Sequence, residues 1–325
     1  MDTQGCARRL WRDSATSSIP AAPQSAKWHP KGWILTVETM RPAARLLELQ
    51  HDAVRVVVDP AHGGVVKAFS WRGSPVFRPA APGSDNPLQQ SCFPLVPFCN
   101  RVAFGRFSYA GREAHLPSNW EGDAHTIHGE GWRAPWSVVD SSDRHLHMAF
   151  VGGSGAWPWP YRAEQRLDVD ADGLTIELSA VNVGHEAMPL MLGMHPYFAT
   201  DPGTRFQANA PRYWAASDSN LPTVELDAPP QWRFDTAGGN SLTLVDNCFA
   251  GWDGAATLFR SDCTVSLRAA GCRWLHLYRP PSQDYLCIEP QSAATGALNR
   301  GGAEVRTLHP GERAMVSMRV SVESC

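Results

Sequence analysis

The 325-residue sequence predicts an all-β protein, a large antiparallel β-sandwich. Three observations carry that expectation. From residue 46 onward, short runs rich in Val, Leu, Ile and aromatic residues recur with the period-2 alternation of half-buried strands. Gly, Pro and Asp turn signals separate these runs at regular spacing, as in sandwiches and barrels. No stretch of ten residues shows the 3.6-residue periodicity of an amphipathic helix.

In chain order, residues 54–59 are β-branched and stop at Pro60, and Gly63-Gly64 breaks the chain before a second strand at 65–71. Residues 166–169 and 174–181 alternate on either side of an Asp170-Asp172-Gly173 turn and read as a hairpin. Further short strands are expected at 242–245, 256–259, 264–268, 274–278, 285–289 and 314–322, parted by turns such as Asp253-Gly254, Arg279-Pro280-Pro281 and Pro310-Gly311. No internal repeat or linker interrupts the chain after residue 45. The expected organisation is therefore an N-terminal segment, 1–45, followed by one sandwich domain, 46–325. The first segment is rich in Ser, Ala, Pro and Arg and lacks apolar periodicity. That composition suits a disordered extension, or a gene start placed too early with Met40 as the true beginning. Arg8-Arg9 is not followed by the apolar core of a secretion signal, and a transit peptide is the third reading, because the stretch holds Arg and Ser and few acids.

Composition narrows the partners. The formal charge is -3 and the 29 Lys and Arg are scattered, so a nucleic-acid surface is not expected. No apolar run reaches the roughly 18 residues of a membrane-spanning helix. The eight cysteines form no C-x-x-C pair and several sit in apolar runs, as buried free thiols do, which points to a reducing, cytoplasmic setting. Thirteen Trp allow stacking on sugar faces, although most Trp serve a core.

Four segments set ionisable groups among turn residues. Asn100-Arg101 ends an apolar run from Phe93, where the guanidinium can present a planar fork to a cleft or form a surface ion pair. In the segment from His125 to Trp132, Gly129 beside His128 lets backbone approach a ligand, or the histidine is a satisfied loop residue. His195 closes an apolar strand and is followed by Pro196, a position for a tunable acid or for a core histidine. Glu289 lies in line with Tyr285-Leu286-Cys287-Ile288, and a carboxylate in an apolar strand needs a task or a partner. Asp246 is a weaker candidate, since Asp-Asn pairs are common in turns. His125 and His128 lie three apart, and His62 and His195 are further imidazoles, but without a helix to align them no metal site is expected.

In this order the segments resemble the galactose mutarotase, or aldose 1-epimerase, family over roughly residues 46–322. The ordered set is Asn100-Arg101, His128-Gly129 with Trp136, Asn182, Pro189, Gly193, His195-Pro196-Tyr197-Phe198, Asp246, Glu289-Pro290-Gln291 and the turn from Leu308 to Glu312. The resemblance implies a large antiparallel sandwich that binds an aldose on a concave face. It implies Glu289 as general base and His195 as general acid. Arg101, with Asn100 beside it, and His128 would hold and polarise the sugar near its anomeric centre, and Asp246 would grip hydroxyls. Ring opening and closure then need no metal or nucleotide cofactor. The alternatives are a relative acting on hexose 6-phosphates, with Arg133, Arg162, Arg212 and Arg300 gathered at the cleft, a non-catalytic sugar-binding protein, and a polysaccharide-processing enzyme.

Overall fold

The computed structural model describes residues 46–234, 244–281 and 283–325. The expectations for 1–45 lie outside the described residues, as do the first two positions of the strand expected at 242–245. Among the described residues the single α-helix is the four-residue turn Ala297–Arg300, and nearly everything else regular is strand.

Two large sheets make the sandwich. One has eleven strands, in the order Leu47–His51, Val54–Asp59, Val65–Trp71, Cys92–Leu95, Gly193–Ala199, Tyr285–Gln291, Trp274–Arg279, Val245–Ala250, Arg212–Ala216 and Pro222–Asp227, with Ser74–Pro75 against the third. The other has eight: Ser137–Ser141, His145–Gly152, Tyr161–Asp170, Gly173–Asn182, Arg313–Ser324, Cys263–Ala270, Ala255–Phe259 and Arg205–Ala208. The ladders within both are antiparallel.

The eight-stranded sheet shows why alternation was readable. In Tyr161–Asp170 the odd positions Tyr161, Ala163, Gln165, Leu167 and Val169 are buried, and the even positions face outward. The predicted hairpin turn is present: Asp170 pairs with Gly173, and Asp170 Oδ1 accepts N–H bonds of 3.0 Å from both Asp172 and Gly173. Each fully buried Leu or Ile in this layer contributes about 1.5–3 kcal/mol of burial free energy.

The centre of the eleven-stranded sheet is different. Gly193–Ala199 and Tyr285–Gln291 are buried on nearly every residue, so both faces are covered. Leu286 and Ile288 point to one side, and Cys287 and Glu289 to the other. The second side carries polar groups and lies beneath the segment from Val96 to Trp136. That cover is tied down at one carbonyl. Val96 O accepts the N–H groups of Glu130 and Gly131, each at 3.1 Å. Gly129 sits there at φ +75°, and a Cβ on it would lie 2.2 Å from the same oxygen, so only glycine fits. Trp132 and Trp136, both fully buried, donate their indole N–H to Gly129 O and Gly131 O.

Candidate active site

Cross-strand register lays the candidate residues in one row. Phe93 pairs with His195, His276 with Glu289, and Cys248 with His276. The pairs Gly193–Gln291 and Tyr197–Cys287 bracket His195 and Glu289, which places those two level on adjacent strands. His195 Nε2 lies 3.2 Å from Glu289 Oε1, and the two side chains are 8% and 2% exposed. The His195 ring stacks on Tyr197, 4.7 Å away, and lies tilted against Phe93, 4.5 Å away. Gln291 Nε2 donates to Glu289 Oε2 at 3.1 Å.

The cover supplies the opposite wall. Asn100 and His128 both adopt positive φ, +56° and +60°, an uncommon conformation for non-glycine residues that clusters at functional positions. His128 N–H donates to Asn100 O, and Asn100 N–H reaches back to His128 Nδ1 at 3.3 Å. This hooked pair brings the His128 ring within 5.4 Å of the His195 ring. Asn100 Oδ1 accepts from the Arg101 N–H at 2.9 Å, and Arg101 Nε is held by Asp123 Oδ2 at 3.1 Å. Asp246 joins from the next strand over, its Oδ1 2.8 Å from His276 Nε2. All six residues proposed from sequence are thus brought together.

The row also contains His276, which sequence reasoning passed over as part of an ordinary strand. A signal was present: in Trp274–Arg279, His276 alternates out of phase with Leu275 and Leu277 and so faces away from the apolar core.

Burial and charge set unusual protonation states. Burial pushes the Glu289 carboxyl up to about 7, against the pull of the His276 charge. Burial first, then the charges of His128 and His276, hold His195 well below the ordinary imidazole value. Burial likewise depresses His128, with Arg101 adding to the effect. His276 goes the other way: burial opposes its charge, but the Glu289 carboxylate and the Asp246 contact raise it to about 10. Asp246 loses some ionisation tendency to burial and regains more from His276, so it sits below the usual carboxylate range. Below about pH 7 the His195–Glu289 pair therefore keeps its proton on the carboxyl, with the imidazole neutral. His195 Nδ1 and Gln291 Oε1 are buried without a hydrogen-bond partner among the described residues, leaving polar capacity that a ligand can satisfy.

The other expectations sort as follows. His62 binds Asp59 at 3.0 Å and the His125 ring accepts the Phe104 N–H at 3.0 Å, so neither belongs to the row. The closest set of metal-type ligands is His195, Cys287 and Glu289, whose ligand atoms lie within 4.8 Å of one another. Burial and the neighbouring Glu289 charge hold the Cys287 thiol well above its usual value. The four arginines considered for a phosphate each have another partner. Arg133 bonds Asn119 O, Arg162 pairs with Glu164 at 3.1 Å, Arg212 with Glu225 and Asp227, and Arg300 with Glu304 at 3.0 Å. A cavity of about 960 Å³ lined by Trp252, Arg273, Trp274, Ser292 and Arg306 contains no residue of the row and no histidine. The six cysteines other than Cys325 among the described residues are buried free thiols, as expected.

A strongly covered row holds a carboxylate whose pKa is raised and an imidazole whose pKa is lowered, on a two-sheet antiparallel sandwich. The family comparison agrees: the aldose 1-epimerase model matches residues 45–321, and the chain belongs to that family. The uncharacterized protein YphB of Escherichia coli K12 is 35% identical over 288 residues, covering 85% of this chain and 98% of that protein. A solved structure from Escherichia coli K12, itself a provisional aldose 1-epimerase, superposes with a TM-score of 0.82 at 33% identity, covering 86% of this chain and 99% of that one. A galactose mutarotase-like protein from Clostridium acetobutylicum shares the fold, with a TM-score of 0.78 at 18% identity over 86% of this chain and 95% of its own. No helix among the described residues is long and apolar enough to cross a membrane.

Proposed function

We propose that the chain is an aldose 1-epimerase that interconverts the α and β anomers of an aldose, with Glu289 as base and His195 as acid. The observation that carries this reading is the buried 3.2 Å contact between the two, with the carboxyl raised and the imidazole depressed. Membership of the family supports a small sugar as substrate.

The pair carries one proton through the reaction. The reactive arrangement places the proton on His195 and leaves Glu289 ionised. Glu289 takes the C1 hydroxyl proton, the His195 imidazolium gives its proton to the ring oxygen, and the C1–O5 bond breaks to leave an open-chain aldehyde. The pair is then neutral imidazole and neutral carboxyl, the distribution that burial favours. What the transfer releases is what forming that arrangement costs, so the gain comes from positioning, and a positioned acid or base contributes about 10²–10⁴-fold. Rotation about C1–C2 exposes the other carbonyl face. Closure returns the proton from Glu289 to the carbonyl oxygen and the ring-oxygen proton to His195. No cofactor is required. Arg101 and His128 on the cover would steady the oxygens whose charge changes, Asn100 would hold Arg101 in place, and Asp246 would take sugar hydroxyls. A free aldose is favoured over a hexose 6-phosphate because the four candidate arginines are each engaged elsewhere.

Polarimetry of freshly dissolved α-glucose, α-galactose, further aldoses and their 6-phosphates tests the proposal. Faster decay of optical rotation than in buffer, abolished by Glu289→Gln and by His195→Asn, is the expected result. No acceleration with any sugar would sink the enzyme reading in favour of a binding protein.

A further inference from the structure

Glu289 shares its buried row with a second carboxylate, Asp246, and two such groups cannot both be ionised without compensating positive charge. Arg101 is one cation nearby, but Asp123 already holds its Nε at 3.1 Å. The other is His276, on the strand beside Glu289 and directly opposite it in register. Its side chain is 7% exposed, with Nε2 2.8 Å from Asp246 Oδ1 and Nδ1 3.3 Å from Asn100 Nδ2.

We propose that His276 is a positioning residue of this site: held by Asp246, it provides the counter-charge that lets Glu289 ionise in the buried row and act as a base. The inference rests on the acid–base reading above and names the group that governs it. The charged and titratable neighbours of the ring come from every packed element: Glu289 and Cys287 from one adjacent strand, Asp246 and Cys248 from the other, Tyr278 on its own strand, His195 one strand further, and Arg101 and His128 from the cover. Among these, Glu289, Asp246 and Cys248 favour the charged ring, while His195 and His128 oppose it. The Asn100 amide opposes it as well, because its Nδ2 faces Nδ1, but one amide dipole is the smaller effect beside two buried carboxylates. The balance carries His276 to about 10, and its charge is the largest influence pulling Glu289 down. His276 thereby ties the sugar-gripping Asp246 to the proton chemistry of Glu289 through one ring.

Two measurements test this. In the parent protein, ¹⁵N-histidine NMR at pH 8 should show His276 with both ring nitrogens protonated; a neutral tautomer there overturns the proposal. In His276→Gln, which can still donate to Asp246 but carries no charge, the alkaline limb of kcat/KM should move up by about one pH unit or more, the effect of removing an adjacent opposite charge. A residue with only a structural role would lower the rate and leave that limb where it was, and this result also overturns the proposal. If the variant does not fold, the NMR state of the parent decides alone. Because that titration needs no turnover, a charged His276 in a protein that mutarotates no sugar would fault the sugar reaction and leave the counter-charge to Glu289 standing.

Discussion

Replacing Glu289 by Gln should make the protein inactive and more stable at once. Burial raises this carboxyl from 4.5 to about 7, so folding favours its neutral form. The sign follows directly. Below the unfolded value both states bind the proton and ionisation costs nothing. As pH rises from about 4.5 to about 7 the unfolded chain releases the proton first, and stability is lost until the folded carboxyl ionises too. The shift corresponds to about 3 kcal/mol at 1.36 kcal/mol per pKa unit. Gln removes this penalty while keeping the shape of the protonated acid. Its advantage should be near zero at pH 4.5 and approach about 3 kcal/mol at pH 8, which is roughly 6 °C or more in melting temperature for a domain of this size. Thermal or urea unfolding of parent and variant at pH 5 and pH 8 measures it, and polarimetry should show at least about 100-fold loss of rate. A stability difference that is the same at both pH values, or a variant less stable at pH 8, would refute the picture of a strained buried carboxylate.

Three further outcomes are expected. The kcat/KM profile of the parent should be bell-shaped and report the pair as a unit: the alkaline limb falls near pH 7 as the pair loses its one proton, and the acid limb lies well below pH 6.5 where His195 takes up a second. An alkaline limb above pH 9 would contradict the one-proton pair. Gly129→Ala should destabilise the fold by more than about 2 kcal/mol, since alanine at φ +75° meets the Val96 carbonyl, and activity should fall with it as His128 is displaced; unfolding curves superposable on the parent would refute this. A chain beginning at Met40 should retain the sugar activity, because the family match starts at residue 45 and the described strands all lie beyond it; an inactive, well-folded truncation would show that the missing residues serve the site.

What was legible in the sequence follows from what each signal encodes. The hairpin across Asp170 and Gly173 announced itself because its alternation and its turn chemistry are both local. The outer ladder of Arg212–Ala216 with Pro222–Asp227 did not, since it is mostly exposed and carries Arg212, Glu225 and Asp227 where a buried strand would carry apolar side chains. The candidate site was legible as an ordered set of motifs, but not as a row. Register between strands is a non-local property, and only register shows that His276 stands opposite Glu289. The same limit applied to the arginines: nothing in Arg133, Arg162, Arg212 or Arg300 as letters revealed that each had its own partner. The protonation states were hidden as well, because they depend on depth of burial and on neighbours distant in the chain.

The middle of the eleven-stranded sheet has a consequence for how the protein comes into being. Cys92–Leu95, Gly193–Ala199 and Tyr285–Gln291 lie side by side, yet about a hundred residues of chain separate each from the next. Their ladders close only after long loops have been gathered in, an entropic cost that delays such pairings relative to local hairpins. The hairpin of residues 161–182 can form early and alone, whereas His195 and Glu289 meet only when these distant strands zip together. Catalytic competence should then be the last property a refolding chain acquires, well after its secondary structure is in place, and a nascent chain should gain it only once the strand at 285–291 has emerged and docked.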